Sequence, residues 1–288
     1  MDDLGIVRDV ARIACEQAVL ASPPRGRRGE ARVCLGVLLP VARALCDGDG
    51  GGFDAGALAY ALGEAPVAVW ADPATRWVDG CGHSRPAYRL LAGWMLGRAR
   101  DMAPGDEGIG RVAHAYVEAQ AKAPAYPDDE PHHALWSLLI RGADGAGANG
   151  FVSRIDELVG DGQSHASLVS LGVDDQLEPW TMRELVGLHA LDRLARSTGR
   201  KAWRRRVAEI AGYHHGHTQP DYTTYQPWAL AAFMSDAATA SFAHQQLHDV
   251  QTHLAVSGPS GAVVVALLLC EACDALRSGR GAEQGVSR

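Results

Sequence analysis

The chain has 288 residues, of which 47% are hydrophobic and 21% charged, a composition typical of a globular protein. Its net charge of -7 argues against nucleic acid or an anionic membrane as the main partner, because phosphate binding depends on many Lys and Arg side chains. The N-terminus opens with acidic residues and contains no long apolar run, so we predict no targeting segment, no membrane span and a cytoplasmic protein.

Apolar residues recur along the chain at a period of about 3.6, with Gly, Pro and Asp between the periodic segments. No segment has the convincing alternation that is typical of a β-strand. The pattern therefore predicts an all-α protein. In chain order, the predicted helices span residues 3–21, 28–46, 53–63, 84–100, 107–123, 131–142, 150–160, 181–197, 201–215, 227–235, 237–253 and 259–277.

Several predicted helices look like successive copies of one unit, in which an apolar helix is followed by a more amphipathic one. The apolar members begin at intervals of roughly 30 to 50 residues, the period of helical-hairpin repeats. An open solenoid has the same period, but no clearly polar capping repeat is present at either end. We therefore predict a single α/α toroid of about six hairpins over residues 1–279, with a disordered tail over residues 280–288.

The links between successive helix pairs are mostly longer and chemically richer than the links within a pair. In the predicted ring these rich links all fall on one face. Long loops that carry polar and aromatic side chains are common places for function. We therefore predict a cavity site at this face, built from residues of several links.

The first rich link ends with Asp79, Cys81 and His83. A carboxylate, a thiolate and an imidazole are suitable zinc ligands. The next rich link leads to His132 and His133, and adjacent inner helices lie about 10 Å apart, so the two links could share a site. The alternative is that Asp79 caps a helix, Cys81 is a packed thiol and the two histidines lie on the surface.

The string Arg76-Trp77-Val78-Asp79-Gly80-Cys81 resembles the zinc motif in the β subunit of protein prenyltransferases, which are α/α toroids of the terpenoid-cyclase superfamily. In that family the third zinc ligand is a His on the following inner helix, which corresponds to His132 or His133 here. The resemblance implies that Asp79, Cys81 and one of these histidines bind Zn²⁺. It also implies that Arg76 faces a prenyl diphosphate and that the reaction is a prenyl-type transfer.

The link after residue 213 has the densest run of hydrogen-bonding and aromatic side chains. His217 and Asp221 could act as acid and base. Three aromatic side chains could stack on a sugar or an isoprenoid, and these are Tyr222, Tyr225 and Trp228. The alternative is structural, because a His at a helix C-terminus complements the helix dipole. We favour that alternative for His214.

Two further rich links supply acids and a tryptophan. Asp129 precedes the histidine pair, and Asp175, Glu178 and Trp180 lie together in the third rich link. Paired carboxylates of this kind could perform acid/base chemistry on a carbohydrate. Trp180 could then stack on the ligand.

The six cysteines are scattered and mostly lie in apolar helical segments, unlike the spacing of a secreted disulfide framework. They are Cys15, Cys34, Cys46, Cys81, Cys270 and Cys273. The last two share one face of a predicted helix, where core thiols are more common than a redox or metal pair. We therefore expect most of the cysteines to be reduced core residues.

Two classes of function remain open. The first is an enzyme that performs either prenyl-type transfer with zinc or metal-free acid/base chemistry on a carbohydrate. The second is a non-catalytic helical-repeat module that binds a protein or a small ligand on its concave face. Zn²⁺ is the only cofactor that the sequence suggests, and none of the candidate catalytic sets is complete.

Overall fold

The computed structural model describes residues 2–21, 32–48, 53–63, 67–72, 74–122, 131–141, 153, 156, 167–168, 176–218 and 225–284. Helices dominate these residues, which confirms the predicted all-α class. In chain order they are α1 (Asp3–Leu20), the 3₁₀ helix Leu35–Leu38, α2 (Leu39–Asp47), α3 (Ala55–Gly63), α4 (Val67–Ala71), α5 (Pro86–Met102), α6 (Glu107–Lys122), α7 (Pro131–Arg141), α8 (Leu177–Thr198), α9 (Lys201–His217), α10 (Leu230–Met234), α11 (Ala240–Ser257) and α12 (Ala262–Gln284). Within the described residues, none of the helices has both the length and the apolar character needed to cross a membrane.

One short parallel sheet lies among the helices. Its strands are β1 (Arg32–Cys34) and β2 (Arg76–Val78), in a register that places Arg32 beside Arg76. The helix predicted over residues 28–46 is therefore wrong at β1. A strand of three residues is too short to show an alternating pattern, so neither strand could be recognised from periodicity.

Two compact units divide the chain. Unit 1 consists mainly of Gly5–Ala125 and His253–Asp274, and unit 2 consists of Asp2–Leu4, Tyr126–Thr252 and Ala275–Arg288. The toroid and the single domain over residues 1–279 stay predictions. Helix α12 continues to Gln284, into the segment predicted as a disordered tail.

The core of unit 1 contains the first half of α12. Every residue from Ala262 to Cys273 is buried, and nearly all of them are apolar. Helix α5 begins at Pro86. Proline has no backbone N–H, and it fits the first helical position because an N–H there would have no partner within the helix. It packs against α6, β2 and the 3₁₀ helix before α2. These contacts hold the loop of residues 79–85 between β2 and α5.

The core of unit 2 is built around α8, whose residues 184–195 are all buried. Helices α7, α9 and α10 pack against it. At Gly187 an added Cβ atom would lie 3.1 Å from the Cβ of His132, so the glycine lets α7 and α8 approach closely. Helix α8 ends at Gly199, whose φ of 68° is left-handed, and α9 begins at Lys201. This glycine makes the tight turn of a helical hairpin.

Candidate functional site

A short loop after β2 surrounds the carboxylate of Asp79, which is 2% exposed. Its Oδ1 atom accepts hydrogen bonds from the backbone N–H of Cys81 at 2.8 Å and of His83 at 2.9 Å. Its Oδ2 atom lies 2.9 Å from Nδ1 of the His83 ring. The backbone N–H of Asp79 also donates to the carbonyl of His83 at 2.9 Å. The loop is therefore closed around one buried carboxylate, and we call residues 79–83 the Asp79 loop.

The side chain of His83 is 69% exposed, although the Asp79 carboxylate that it contacts is buried. Because an ionised carboxylate only accepts hydrogen bonds, the contact with Asp79 places the ring proton of the neutral imidazole on Nδ1. The lone pair of the other ring nitrogen, Nε2, is then available as a base. A carboxylate that orients an imidazole in this way is the base half of a catalytic triad.

Two glycines let the Asp79 loop adopt this shape. A Cβ atom added at Gly80 would collide with the Cβ of Ala21, which follows α1, and would lie 3.2 Å from Cγ2 of Val263 in α12. Gly82 has a φ of 98°, a backbone conformation that residues with a side chain rarely adopt. The loop therefore lies tightly against its neighbours in unit 1 and depends on both glycines.

Two thiols lie at or near the Asp79 loop. Cys81 is exposed, and its backbone N–H, not its thiol, makes the hydrogen bond to Asp79. Cys34, at the end of β1, has its Sγ atom 3.8 Å from the Asp79 carbonyl oxygen. Burial raises the pKa of the Cys34 thiol, and the charges of Asp79 and Cys81 raise it further against the opposing hydrogen bond from Gly36. Cys34 is therefore a protonated thiol at neutral pH.

Two arginines lie side by side on the strands that lead to this region. Arg76, which the prenyltransferase resemblance assigns to a diphosphate, is exposed and in register with Arg32. Residues in register on neighbouring parallel strands project from the same face of the sheet. The two guanidinium groups therefore place positive charge beside the strand that precedes the Asp79 loop.

His132 and His133, the predicted zinc ligands of the second rich link, lie in the first turn of α7 in unit 2. They are only 5% and 9% exposed, and their ring centroids are 4.1 Å apart. The alternative that placed them on the surface is therefore wrong. Burial lowers the pKa of His132 to about 3, with smaller contributions from the charges of His133 and Arg183. His132 is thus a neutral imidazole at physiological pH.

Trp228, predicted to stack on a ligand, is 1% exposed and packs in the core of unit 2. Its ring meets that of Trp136 edge to face at 6.1 Å, and the ring of His189 stacks on Trp136 at 5.4 Å. The Trp136 Nε1–H donates to the carbonyl of Val186 at 2.8 Å, and the N–H of Ala229 donates to His189 Nδ1 at 3.3 Å. The three rings therefore pack against each other instead of presenting a stacking surface.

A second carboxylate–imidazole pair lies in unit 2. His214 Nε2 is 3.2 Å from Glu184 Oε2, and both side chains are 0% exposed. The same Glu184 oxygen accepts the backbone N–H of Leu168 at 3.0 Å, and His214 Nδ1 is 2.9 Å from the hydroxyl of Thr218. Trp180, also predicted to bind a ligand, is 4% exposed, and its ring centroid is 5.9 Å from that of His214. This pair is closed to solvent, which agrees with the structural role favoured for His214.

The structure does not gather the remaining predicted residues into one place. Glu178, in the first turn of α8, and His217, at the end of α9, are exposed, and the His217 ring stacks on Tyr213 at 4.7 Å. Tyr225 is half-buried. Four predicted site residues lie outside the described residues, and these are Asp129, Asp175, Asp221 and Tyr222.

In the part of the chain that the structure describes, no group of three or more His, Cys, Asp and Glu side chains is placed to hold a metal ion. The carboxylate of Asp79, a predicted zinc ligand, instead receives two backbone N–H groups and the ring of His83. The zinc site predicted from Asp79, Cys81 and His132 or His133 stays a prediction.

The pairing of Asp79 with His83 has a sequence signal that a metal-ligand interpretation overlooks. A carboxylate stands four residues before an imidazole, with glycines at positions 80 and 82 that permit a tight loop. Glu184 and His214 have no such signal, because 30 residues separate them. That pair could be found only from the packing of α8 against α9.

No family model, curated protein or solved structure matches this chain at a significant level.

Proposed function

We propose that the protein is an enzyme in which His83, oriented by Asp79, acts as a general base on an anionic substrate. The observation that carries this proposal is the 2.9 Å contact between a buried carboxylate and the ring of an exposed histidine. A carboxylate on Nδ1 selects the tautomer whose Nε2 accepts a proton. A positioned base of this kind typically accelerates a reaction by about 10² to 10⁴.

The exposure of the His83 ring bears on the role of the imidazole in this loop. A buried carboxylate must be hydrogen-bonded, and Asp79 already receives two backbone N–H groups. A contact with an exposed partner contributes only about 0 to 1 kcal/mol. Both N–H groups bind Oδ1, so the His83 ring supplies the bond to Oδ2 while most of that side chain stays exposed to solvent, which favours a chemical role for the ring.

The charge near the loop suggests the class of substrate. Arg76 is exposed and lies in register with Arg32, and a guanidinium group binds carboxylate or phosphate with two parallel hydrogen bonds. We therefore propose hydrolysis of an ester that carries a carboxylate or phosphate group. In this reaction His83 takes a proton from water as the water oxygen bonds to the ester carbonyl carbon. The bond from that carbon to the alcohol oxygen then breaks, and His83 returns the proton to the leaving alcohol.

The test is the hydrolysis of nitrophenyl esters that carry a carboxylate or a phosphate, with the purified full-length chain. His83→Gln should lower kcat/KM by about 10² to 10⁴, and Asp79→Asn should also lower it because the tautomer is no longer selected. Cys81→Ser is the matched control in the same loop and should retain the activity, because only its backbone contacts Asp79. Equal rates for the wild type and His83→Gln, or no turnover by the wild type, would rule out the proposal.

The second candidate is a non-catalytic binding module. It is favoured by the burial of Trp180 and Trp228, which leaves two predicted ligand-stacking residues at 4% and 1% exposure. A module of this class would turn over no ester. His83→Gln would then leave ligand binding unchanged.

The six-hairpin α/α toroid and the zinc-assisted prenyl-type transfer stay proposals of the sequence. The zinc content of the purified protein tests the proposed prenyl-type transfer. Stoichiometric zinc that is lost in Cys81→Ala would favour prenyl-type transfer over the metal-free base proposed for His83.

A further inference from the structure

Four of the six cysteines meet in the core of unit 1. The Sγ atom of Cys15 in α1 is 3.7 Å from that of Cys270 in α12, and the Sγ atom of Cys46 in α2 is 3.9 Å from that of Cys273 in α12. Cys46 also forms a side-chain hydrogen bond with Cys270. All four residues are buried. They form one continuous set of contacts between three helices, which we call the thiol cluster.

Apolar packing does not require sulfur at these positions. The preceding turns of α12, from Ala262 to Leu269, are filled entirely by Ala, Val and Leu and are just as well buried. Cysteine then occurs at two positions three residues apart, Cys270 and Cys273, which lie on one face of the helix. Each of them contacts a cysteine from a different helix. The convergence of four cysteines therefore suggests that the reactivity of their thiols, and not only their packing, has a role.

The surroundings of the thiol cluster make its members chemically unequal. Hydrogen bonds with Cys270 and Cys273 lower the pKa of Cys46, and the positive charges of Arg8 and Arg12 lower it further against the effect of burial. The pKa of Cys270 moves in the opposite direction, because its hydrogen bonds and its burial favour the protonated thiol. The hydrogen bond with Cys270 also lowers the pKa of Cys15. Cys46 is therefore suited to be a thiolate and Cys270 to stay protonated.

We propose that the thiol cluster is an oxidation site for hydrogen peroxide, in which Cys46 is the attacking residue and Cys273 the resolving residue. The Cys46 thiolate attacks one peroxide oxygen, the O–O bond breaks, and a sulfenic acid and hydroxide form. The sulfur of Cys273 then attacks the Cys46 sulfur, the S–O bond breaks, and its thiol proton leaves with the oxygen as water. Two thiols and one peroxide thus give one disulfide and two waters.

The geometry requires only a small approach of the two sulfur atoms. They are 3.9 Å apart, and a disulfide bond is about 2.05 Å long. The bond would join positions separated by 227 residues in the sequence, so it would restrict the unfolded chain strongly. The oxidised protein should therefore have a higher Tm than the reduced protein.

The test treats the reduced full-length protein with one equivalent of hydrogen peroxide, alkylates the remaining thiols and maps the peptides by mass spectrometry. We expect a peptide pair linked by a disulfide between Cys46 and Cys273. Cys81 should be recovered in alkylated form, which shows that the peroxide did not oxidise it. In Cys273→Ser, dimedone should trap the sulfenic acid on Cys46. Cys34→Ser removes a thiol of unit 1 outside the cluster and should react like the wild type.

Two results would overturn the proposal, and both use the wild-type protein, so a variant that fails to fold does not affect the test. The first is oxidation confined to the exposed Cys81, with all four thiols of the cluster alkylated after unfolding. The second is stoichiometric zinc or iron in the purified protein that protects the four thiols from alkylation, which would make the cluster a metal site.

Discussion

Each of the two units contains a buried carboxylate that contacts a histidine ring, and these two pairs differ mainly in the access of the ring to water. In unit 1, Asp79 lies 2.9 Å from His83, whose side chain is 69% exposed. In unit 2, Glu184 lies 3.2 Å from His214, and both side chains are 0% exposed. A base must reach its substrate, and of these two pairs only Asp79–His83 has an exposed imidazole. Burial, and not the identity of the residues, separates the pair that we propose to be reactive from the pair with a structural role.

Removal of Glu184 should have the largest effect on stability. Glu184→Ala takes away the acceptor of the Leu168 N–H and leaves the buried ring of His214 without its carboxylate. Breaking a buried pair in this way costs about 3–5 kcal/mol. The matched variant Asp79→Ala should cost less, about 1–3 kcal/mol, because the exposed His83 ring can bond to water.

Urea unfolding followed by circular dichroism measures both free energies of unfolding. A smaller loss for Glu184→Ala than for Asp79→Ala would show that burial does not separate the two pairs.

A second buried imidazole extends the comparison to pH. The pKa of His132 is about 3 in the folded protein, whereas the ordinary value for a histidine side chain is 6.5. Below pH 6.5 the unfolded chain therefore binds a proton that the folded chain does not. The free energy of unfolding should fall as the pH decreases from 6.5 toward 3, by at most about 1.4 kcal/mol per pH unit, with no contribution above this window.

His132→Gln should flatten this pH dependence in urea unfolding at pH 7, 6, 5 and 4. His217→Gln is the control, because it makes the same substitution at an exposed histidine. Equal slopes for His132→Gln and the wild type would contradict a neutral, buried His132.

The packing of the Asp79 loop predicts a smaller effect. Gly80→Ala should lower the free energy of unfolding by about 1–3 kcal/mol, because the new methyl group collides with Ala21 and approaches Val263. Gly97→Ala is the matched control in α5, where an added Cβ atom meets nothing within 4 Å. It should raise stability by about 0.5–1 kcal/mol, as expected for a helix interior. Thermal unfolding measures both, and a Gly80→Ala protein as stable as the wild type would show that the loop is not tightly packed.

The helices of this fold are largely predictable because their signal is local. Helix α5 is expected over residues 84–100 and found over Pro86–Met102, and α9 is expected over 201–215 and found over Lys201–His217. Apolar spacing, Pro and Gly are enough for such segments. The strands β1 and β2 are different, because their pairing joins segments more than forty positions apart and three residues cannot show a period.

The candidate site was predictable only as a set of residue types. The sequence singles out Asp79, Cys81 and His83, but the same three side chains suit a metal site and a hydrogen-bonded loop equally well. Which of them is buried, and which atom meets Oδ2 of Asp79, depends on how Gly80 lies against Ala21 and Val263. The thiol cluster has the same limitation, because Cys15 and Cys270 are 255 residues apart.

The ring of His83 provides the most direct measurement of the proposed role. The ¹⁵N chemical shifts of its two ring nitrogens, recorded by NMR at a pH where the ring is neutral, report which nitrogen carries the proton. We predict a protonated Nδ1 and an unprotonated Nε2 in the wild type, with this preference lost in Asp79→Asn. A wild-type ring that carries its proton on Nε2 would contradict the orientation by Asp79 and, with it, the role of His83 as a base.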